Sequence, residues 1–550
     1  MTSFYEDFLV ELKAVDDFLA YRSGDATFVR REDPDVRRLM ESIAFFSART
    51  RHAASDQLRR SMLQLARGHL DDFLSPQPSR ALIQVVPSGL VDAAVLPAGT
   101  RLRLTTSDNE LGLFSTMVDV TLRPLQIDFA ELQLRGGGGF RLVIRIRARR
   151  AVEEIAEPLA IHLSYLNDYQ RSLHLQYRLS RHLPDDGVSV FYDQAPDPSR
   201  VGAPCGVSFG GAPRAHPEPG AGGCIEQIRT FLHFPAKELV LQVALARARS
   251  PWRQAWLCLD LDDGWPRELV IDKAVFRLFV VPIENLVRDA AVPIKCDGTR
   301  AHYPIEPARG DARLTLHSVI GVFQDTAAGR DPIPPVHVAS GDPSYDLDQV
   351  DDGSGAGAPR LVLRLPDAFH APRLISVEAR WHQPWFDSAA QVTTVELQTR
   401  HLPGVELRLL GALTPHRPSA LWRDPAAMLH VLSRRASRVL QRRDLISLMT
   451  LLGADHDSAY AGIDAEVLQI EAYEEPADRH RGGGIRVVYR IKLDEVDDDR
   501  LGLVAGYLRC IELLLDAWSA NPVRLESPAR LARARPLRPT RPTRLIEGGT

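Results

Sequence analysis

The spacing of the apolar residues changes twice along this chain, and that change most restricts the folds open to it. Intervals of three and four predict an amphipathic first helix whose apolar stripe is Phe4, Phe8, Leu12, Val15 and Leu19. From Arg80 the interval becomes two, which predicts strands, and helical spacing returns after Asp424. Helices at both ends with strands between them indicate a multidomain α+β fold.

Two further helices are predicted before the first strand. The second starts at Asp33, an N-cap followed by proline, and the third carries Leu58 and Leu65. The second has its own apolar series: Val36, Leu39, Met40, Ile43 and Phe46. Pro76 ends the helical pattern, because proline lacks the backbone N–H that a helix needs.

The run from Phe140 to Ile146 shows the two-residue period of a strand. Its apolar residues point one way and its arginines the other, and Gly136 to Gly139 before it predicts a hairpin loop. Stretches rich in glycine, proline and aspartate at roughly 195–223 and 325–358 predict long loops or insertions.

The C-terminal part returns to helices. Helices are predicted from Asp424 and from Asp444, followed by the strand GIRVVYRIKL. A long amphipathic helix then carries the stripe Leu501, Val504, Leu508, Ile511, Leu515 and Trp518. From Ser527 the chain has six arginines, four prolines and few apolar residues, which predicts a flexible basic tail.

A chain of 550 residues is expected to form several domains. The predicted division is a helical segment 1–79, a β-rich domain 80–245, a second β-rich domain with long loops 246–410, a C-terminal α/β domain 411–526 and the tail 527–550.

Composition argues against several classes of protein. The net charge of −4 offers no global attraction for nucleic acid or an anionic membrane. The acidic N-terminus is unlike a signal peptide, and no apolar run is long enough to span a bilayer. Five scattered cysteines without a CxxC indicate reduced thiols, so a cytoplasmic protein is expected.

No catalytic, cofactor or metal signature is present in the sequence. GxSxG, HExxH and P-loop motifs are missing, and the spacing of His162, His174 and His182 fits no metal site. The residues alone therefore indicate a soluble, multidomain α+β protein without visible catalytic apparatus, and no cofactor or metal is expected.

Several segments match family motifs in the same order. DPDVRRLMESIAFFSARTRHAASDQL is similar to DPxVERLLEaFAFLtARvrxkLDdE, matching at Asp33, Pro34, Val36, Arg38, Leu39, Glu41, Phe45, Ala48 and Arg49. FLSPQPSRALIQVV is similar to YLrPiPSmaivqf, and a later segment matches FrTxydVtLwPlxvxxAel at Phe114, Thr116, Val120, Thr121, Leu122, Pro124 and Leu125. These segments resemble the TssF (ImpG/VasA) family of type VI secretion baseplate subunits.

The resemblance continues to about Leu525. Matches in the middle fall at Phe231, Phe234, Pro235, Lys237, Pro282, Asn285, Leu286 and Pro293. The family's CTNRdLP segment is reduced to TRHLPG, and its closing SiNSF has become SANPVRL, as in a divergent member.

The resemblance implies a wedge component of a contractile secretion baseplate. Two copies would associate with one TssG-like protein and engage TssK-like, TssE-like and spike or hub proteins, with self-association inside the wedge. Six wedges around the hub would then nucleate sheath assembly, docked at the inner face of the cytoplasmic membrane through other subunits.

Two amphipathic helices are the candidate partner-binding elements. Their candidate residues are Phe4, Phe8, Leu12, Val15 and Leu19 in the first, and Leu508, Ile511 and Trp518 in the last. Packing of each helix on its own domain explains the stripes equally well. A wedge protein of a phage tail or extracellular injection particle is the alternative function, with an enzyme of undetected class or a nucleic-acid binder acting through the tail behind it.

Overall fold

The computed structural model describes residues 2–22, 33–197, 200–211, 223–308, 310, 313–338, 341–350, 358–366, 368–386, 391–398, 402–419, 421, 425–435, 437, 439–476, 485–519 and 522–526. The predicted basic tail lies outside these residues.

Helices occur at both ends of the described chain and also inside its β-rich middle. They are α1 (Thr2–Arg22), α2 (Pro34–Leu74), α3 (Tyr169–His182), α4 (Cys224–His233), α5 (Pro425–Arg435), α6 (Arg442–Leu452) and α7 (Leu501–Trp518). The predicted α+β class is confirmed. Helices α3 and α4 were not predicted. Helix α6 begins at Arg442 rather than at Asp444, because Asp444 is the third residue of the helix and completes the capping box with Gln441.

The prediction of separate second and third helices before the first strand is wrong. Both belong to α2, which runs for 41 residues and departs from helical geometry only at Leu70. The sequence between Phe46 and Leu58 contains neither proline nor glycine, so the hydrogen-bond ladder continues across it.

The first sheet has six antiparallel strands in the order β24-β3-β4-β15-β1-β25. Their bounds are β1 (Arg80–Val86), β3 (Arg101–Thr106), β4 (Leu111–Thr116), β15 (Val280–Glu284), β24 (Val392–Leu397) and β25 (Glu406–Thr414), with a small ribbon of β2 (Ala94–Leu96) and β5 (Val120–Leu122) beside them. Strand β1 lies between β15 and β25, so the segment that follows α2 enters the middle of this sheet rather than its edge.

Two more sheets share one hydrophobic core with the first. One contains β6 (Leu125–Leu134), β7 (Phe140–Val152), β9 (Val188–Tyr192), β10 (Ala203–Pro204) and β13 (Trp252–Leu261); the other contains β8 (Leu159–Leu163), β11 (Gly206–Phe209), β12 (Val240–Ala244) and β14 (Phe276–Leu278). The predicted orientation of β7 is confirmed, since its apolar series Phe140, Leu142, Ile144 and Ile146 is buried. Part of the predicted loop 195–223 forms β10 and β11.

Residues 287–382 form a lobe with its own core. Its strands are β16 (Val287–Ala290), β17 (Ile294–Cys296), β18 (Tyr303–Pro304), β19 (Thr315–Thr326), β20 (Gly329–Ile333), β21 (Ser344–Val350), β22 (Ala358–Arg364) and β23 (Arg373–His382). The prediction of one long loop over 325–358 is therefore wrong. Strands β20 and β21 lie inside that range and pair with β19 and β22, which extend beyond its two ends.

The C-terminal part packs its helices on a three-stranded sheet. Strands β26 (Val467–Pro476) and β27 (Ile485–Leu493) are antiparallel, and β28 (Val523–Glu526) runs parallel to β27. Their core also takes in Leu70, Phe73 and Leu74 at the end of α2 and Ile228 of α4. The predicted domain boundaries stay a prediction, and distant segments meet in this core.

The packing around Gly112 of β4 leaves no room for a side chain. A Cβ at this position would lie 2.4 Å from Cζ of Phe386, whose buried ring meets Phe114 at 5.6 Å between centroids. Gly112→Ala is expected to destabilise the chain by about 1–3 kcal/mol because the ring must move, measured as a lower urea midpoint. Adding Phe386→Leu should recover part of the loss; an unchanged midpoint in the single variant would contradict the tight packing.

Candidate interaction surface

Helices α1 and α2 pack against each other as a helical hairpin that is held by a few specific contacts. The Phe4 ring meets Phe45 edge-on at 5.6 Å between centroids. Glu11 accepts hydrogen bonds from Ser47 (2.8 Å) and Arg51 (2.9 Å), and these bonds lower the pKa of its carboxyl group. All of these contacts join the first half of α1 to the part of α2 between Phe45 and Arg51.

The predicted stripe on α1 is the side that faces α2. All five members, Phe4, Phe8, Leu12, Val15 and Leu19, are half-buried. Opposite them Met40, Ala44 and Ala48 are buried, and the two small alanines allow close approach of the helices. The stripe is therefore used within the hairpin.

The hairpin also exposes many apolar side chains. Eleven of the twenty-five large apolar residues that are exposed in the described chain lie on α1 and α2. We call these eleven the hairpin surface: Tyr5, Leu9, Val10, Phe18, Tyr21, Leu39, Ile43, Phe45, Phe46, Leu58 and Leu65. An exposed apolar concentration of this kind marks a protein interaction site.

Two rows within the hairpin surface have helical spacing. Leu39, Ile43 and Phe46 are 62%, 50% and 65% exposed and follow one another at intervals of four and three residues. Leu58 and Leu65 are seven residues apart and lie beyond the point where Phe4 of α1 meets α2. The series Leu39, Ile43 and Phe46 was visible in the sequence, but nothing local showed which side α1 would cover.

The candidate residues of the last helix lie in the chain's own core. Leu508, Ile511 and Trp518 are 4%, 1% and 7% exposed. Trp518 donates from Nε1 to the Arg434 carbonyl at 3.0 Å and meets Phe73 edge-on. Their burial accounts for the apolar stripe of α7 as intramolecular packing.

The three histidines considered in the sequence each have a separate environment. His162 Nε2 lies 3.1 Å from the Ala236 carbonyl, and burial lowers its pKa to about 4. His174 lies 3.5 Å from Asp499, and His182 lies 2.7 Å from Asp262. Across the described residues, no group of three or more His, Cys, Asp or Glu is arranged to hold a metal ion.

Other surface features are modest. An open cleft of about 370 Å³ lies in the lobe between Val292 and Glu306, with Lys295, Asp297 and Arg300 around it. Within the part of the chain that the structure describes, no helix combines the length and apolar character needed to cross a membrane.

Solved structures with a similar fold come from type VI secretion baseplates. One is a chain of the TssK-TssF-TssG baseplate subcomplex of the type VI secretion system, determined by cryo-electron microscopy. It has 17% identity and a TM-score of 0.70, over 89% of this chain and 96% of that chain. Another, from the baseplate complex of the type VI secretion system, has 16% identity and a TM-score of 0.58, over 92% and 93%.

Sequence comparison points the same way. No curated protein sequence matches the chain significantly. The sequence model of one family, described as "Type VI secretion system, TssF", matches residues 25–349, which is more than half of the chain. The chain therefore belongs to the TssF family of the type VI secretion system.

Proposed function

We propose that this chain is a non-enzymatic structural subunit of a type VI secretion baseplate wedge, and that the hairpin surface is a docking site for partner subunits. Family membership supports the baseplate role. The observation that carries the docking site is the concentration of eleven exposed apolar side chains on α1 and α2.

The proposed partners are a TssG-like and a TssK-like protein. The solved TssK-TssF-TssG subcomplex, which contains a chain of similar fold, supports both. We further propose two copies of this chain for each TssG-like subunit, contacts with TssE-like and spike or hub proteins, and a cytoplasmic location at the membrane through other subunits.

The chemistry of the hairpin surface fits an amphipathic helix of the partner. Leu39, Ile43 and Phe46 form a ridge at helical spacing, which can enter the groove of a facing helix. Burying such side chains contributes about 1.5–3 kcal/mol each, and together they must exceed the cost of association, which is about 4–15 kcal/mol. Charged neighbours such as Arg37 and Glu41 pair with each other at 3.1 Å and would form a polar rim.

Co-expression with the TssG-like protein of the same locus tests the assembly. We expect a stable complex in which two copies of the 61.1 kDa chain join one partner, measured by multi-angle light scattering. A monomer of this chain beside a folded TssG-like protein would contradict the proposal.

A further inference from the structure

Five consecutive carbonyl groups between α2 and β1 are held by distant parts of the chain. The hydrogen bonds run to Ser75 O from Arg229 Nη2 (2.6 Å), to Pro76 O from His317 Nε2 (3.1 Å), to Gln77 O from Arg417 N (2.9 Å), to Pro78 O from His233 Nε2 (3.1 Å) and to Ser79 O from Asn285 N (2.8 Å). Each donor is more than 150 positions away in the sequence. We call Ser75–Ser79 the joint.

The donors belong to different parts of the body. Arg229 and His233 lie on α4, which packs in the C-terminal core. His317 lies on β19 of the lobe, and Asn285 directly follows β15 of the six-stranded sheet. The joint therefore contacts the C-terminal core, the lobe and the six-stranded sheet at once, and no single element sets its position.

Two of the donors are neutral histidines in a fixed tautomer. A carbonyl oxygen can only accept, so Nε2 of His233 and Nε2 of His317 must each carry the hydrogen. Nδ1 of His317 lies 3.1 Å from the Ser318 hydroxyl. Nδ1 of His233 is buried, and the described residues offer it no hydrogen-bond partner.

The joint directly follows the C-terminal end of the long helix α2. Met62, Leu70 and Phe73 of α2 pack against the C-terminal core, while the hairpin surface extends back to Tyr5 and Leu39. At 1.5 Å per residue, the part of α2 from Pro34 to Met62 is about 40 Å long. Measured from the joint, the far end of α2 is about 60 Å away, so a rotation of about 10° at the joint would move that end by about 11 Å, comparable to the 8–10 Å between packed helices.

We propose that the joint fixes the direction of the hairpin relative to the body, and that His233 and His317 are its positioning residues. This inference deepens the proposed function, because a fixed direction matters only if the hairpin docks partners. It also gives a role to the FLSPQPS segment, whose two prolines supply carbonyls without adding an N–H to be satisfied.

The equilibrium between the closed and the opened joint should shift toward the opened joint as the pH falls. Burial and neighbouring arginines lower the pKa of His233 to about 2, and burial lowers that of His317 to about 4. Exposed histidines titrate near 6.5, so an opened joint binds protons that the closed joint does not. The closed joint is therefore favoured above pH 6.5 and loses stability as the pH falls below it, by about thirtyfold per histidine at pH 5.

The charged groups around His233 oppose its protonation, whereas around His317 the carboxylates favour protonation and Arg380 opposes it. Those facing His233 are Arg80, Arg229 and Arg417. Those facing His317 are Glu226, Glu284, Arg380 and His382. His382 lies 5.3 Å from His317 and 5.1 Å from His416, ring centroid to ring centroid, which further disfavours a second charge.

Replacing His233 and His317 with glutamine or with leucine separates the effect of their hydrogen bonds from the effect of their protonation. Glutamine Nε2 can replace histidine Nε2 as a donor and does not titrate, whereas leucine cannot donate. Tyr21 of the hairpin and Val270 of the body are 87% and 76% exposed, so each can be replaced by an unnatural amino acid whose ketone carries a spin label. The distance between the two spin labels reports the direction of the hairpin relative to the body. At pH 7.5 we expect one narrow distance distribution in the wild type and in His233→Gln/His317→Gln, and a broad one in His233→Leu/His317→Leu.

Hydrogen exchange measures the opening itself. The amides of Gln77 and Arg417 bond to each other's carbonyls at 2.8 and 2.9 Å, so both lose protection when the joint opens. After correction for intrinsic rates, we expect the opening constant to rise about thirtyfold or more from pH 7.5 to pH 5 in the wild type and to stay flat in the glutamine variant. The leucine variant should open about tenfold more per lost hydrogen bond at pH 7.5.

Several outcomes would overturn the proposal. One is an unchanged distance distribution in a folded leucine variant, and another is a glutamine variant that keeps the wild-type pH response. A third is a loss of amide protection in β13 equal to that of Gln77 and Arg417, which would mean that the whole chain unfolds. If the leucine variant does not fold, the pH response of the glutamine variant still decides. Both measurements use the full chain without partners, so failure to bind a TssG-like protein would leave this result intact.

Discussion

Replacing Ile43 and Phe46 together with aspartate is expected to weaken binding of the TssG-like partner at least 100-fold. Both side chains are half or more exposed and lie on one side of α2, three residues apart. A central apolar residue of an interface often contributes 2 kcal/mol or more, and a buried carboxylate adds a desolvation cost. Neither substitution touches the buried row Met40, Ala44 and Ala48, so the hairpin should stay folded. Affinity is measured by titration calorimetry or by recovery of the co-expressed complex.

Two matched variants give this experiment its controls. Val270→Asp makes the same chemical change at a residue that is 76% exposed outside the hairpin, and partner binding should be unchanged. Leu12→Asp or Phe8→Asp places the charge between α1 and α2, so binding should fall together with the helical signal. Full binding by a soluble Ile43→Asp/Phe46→Asp variant would remove this side of α2 from the interface.

Replacing Arg80 with leucine is expected to cost about 3–5 kcal/mol of unfolding free energy. The Arg80 side chain is 1% exposed and lies 3.6 Å from Glu284 and 3.8 Å from Glu226. Its Nη1 also donates to Oε1 of Gln77, a residue of the joint, at 2.5 Å. Removing the guanidinium leaves the buried carboxylate of Glu284 and the half-buried carboxylate of Glu226 without their Arg80 partner, in surroundings that solvate charge poorly. The measurement is the urea midpoint.

A double variant identifies the cause of that loss. Arg80→Leu/Glu284→Leu removes both charges and should be more stable than Arg80→Leu alone. Arg408→Leu breaks an exposed pair with Glu406 at 2.9 Å and should leave the midpoint unchanged. A double variant less stable than the single one would show that packing, not charge, sets the cost.

Local patterns predicted the type of most long elements. The spacing of Phe4 to Leu19, the alternation in Phe140 to Ile146 and the stripe of Leu501 to Trp518 each match an observed helix or strand. These patterns arise because one side of each element is buried, whatever buries it. The family motifs added the secretion role, which no periodicity could supply.

What covers each stripe was decided only by the tertiary structure. The α1 stripe packs on α2 and the α7 stripe on the C-terminal core, so the apolar residues left exposed are others, such as Ile43 and Phe46. A stripe in a sequence reports that a face is buried but does not name its partner. The apolar series of α2 thins between Phe46 and Leu58, and this gap predicts two helices. The structure has one helix, because no residue in the gap breaks it.

The sequence by itself determined the α+β class, the helical ends, the strands of the middle and the resemblance to the TssF family, since these depend on neighbouring residues and on ordered motifs. Only the tertiary structure showed which apolar faces remain free and how the hairpin is fixed to the body. The joint illustrates the physical reason: its five carbonyls, from Ser75 to Ser79, are held by donors more than 150 positions away. Hydrogen bonds between such distant residues have no period along the chain, and only the folded structure brings the two sides together.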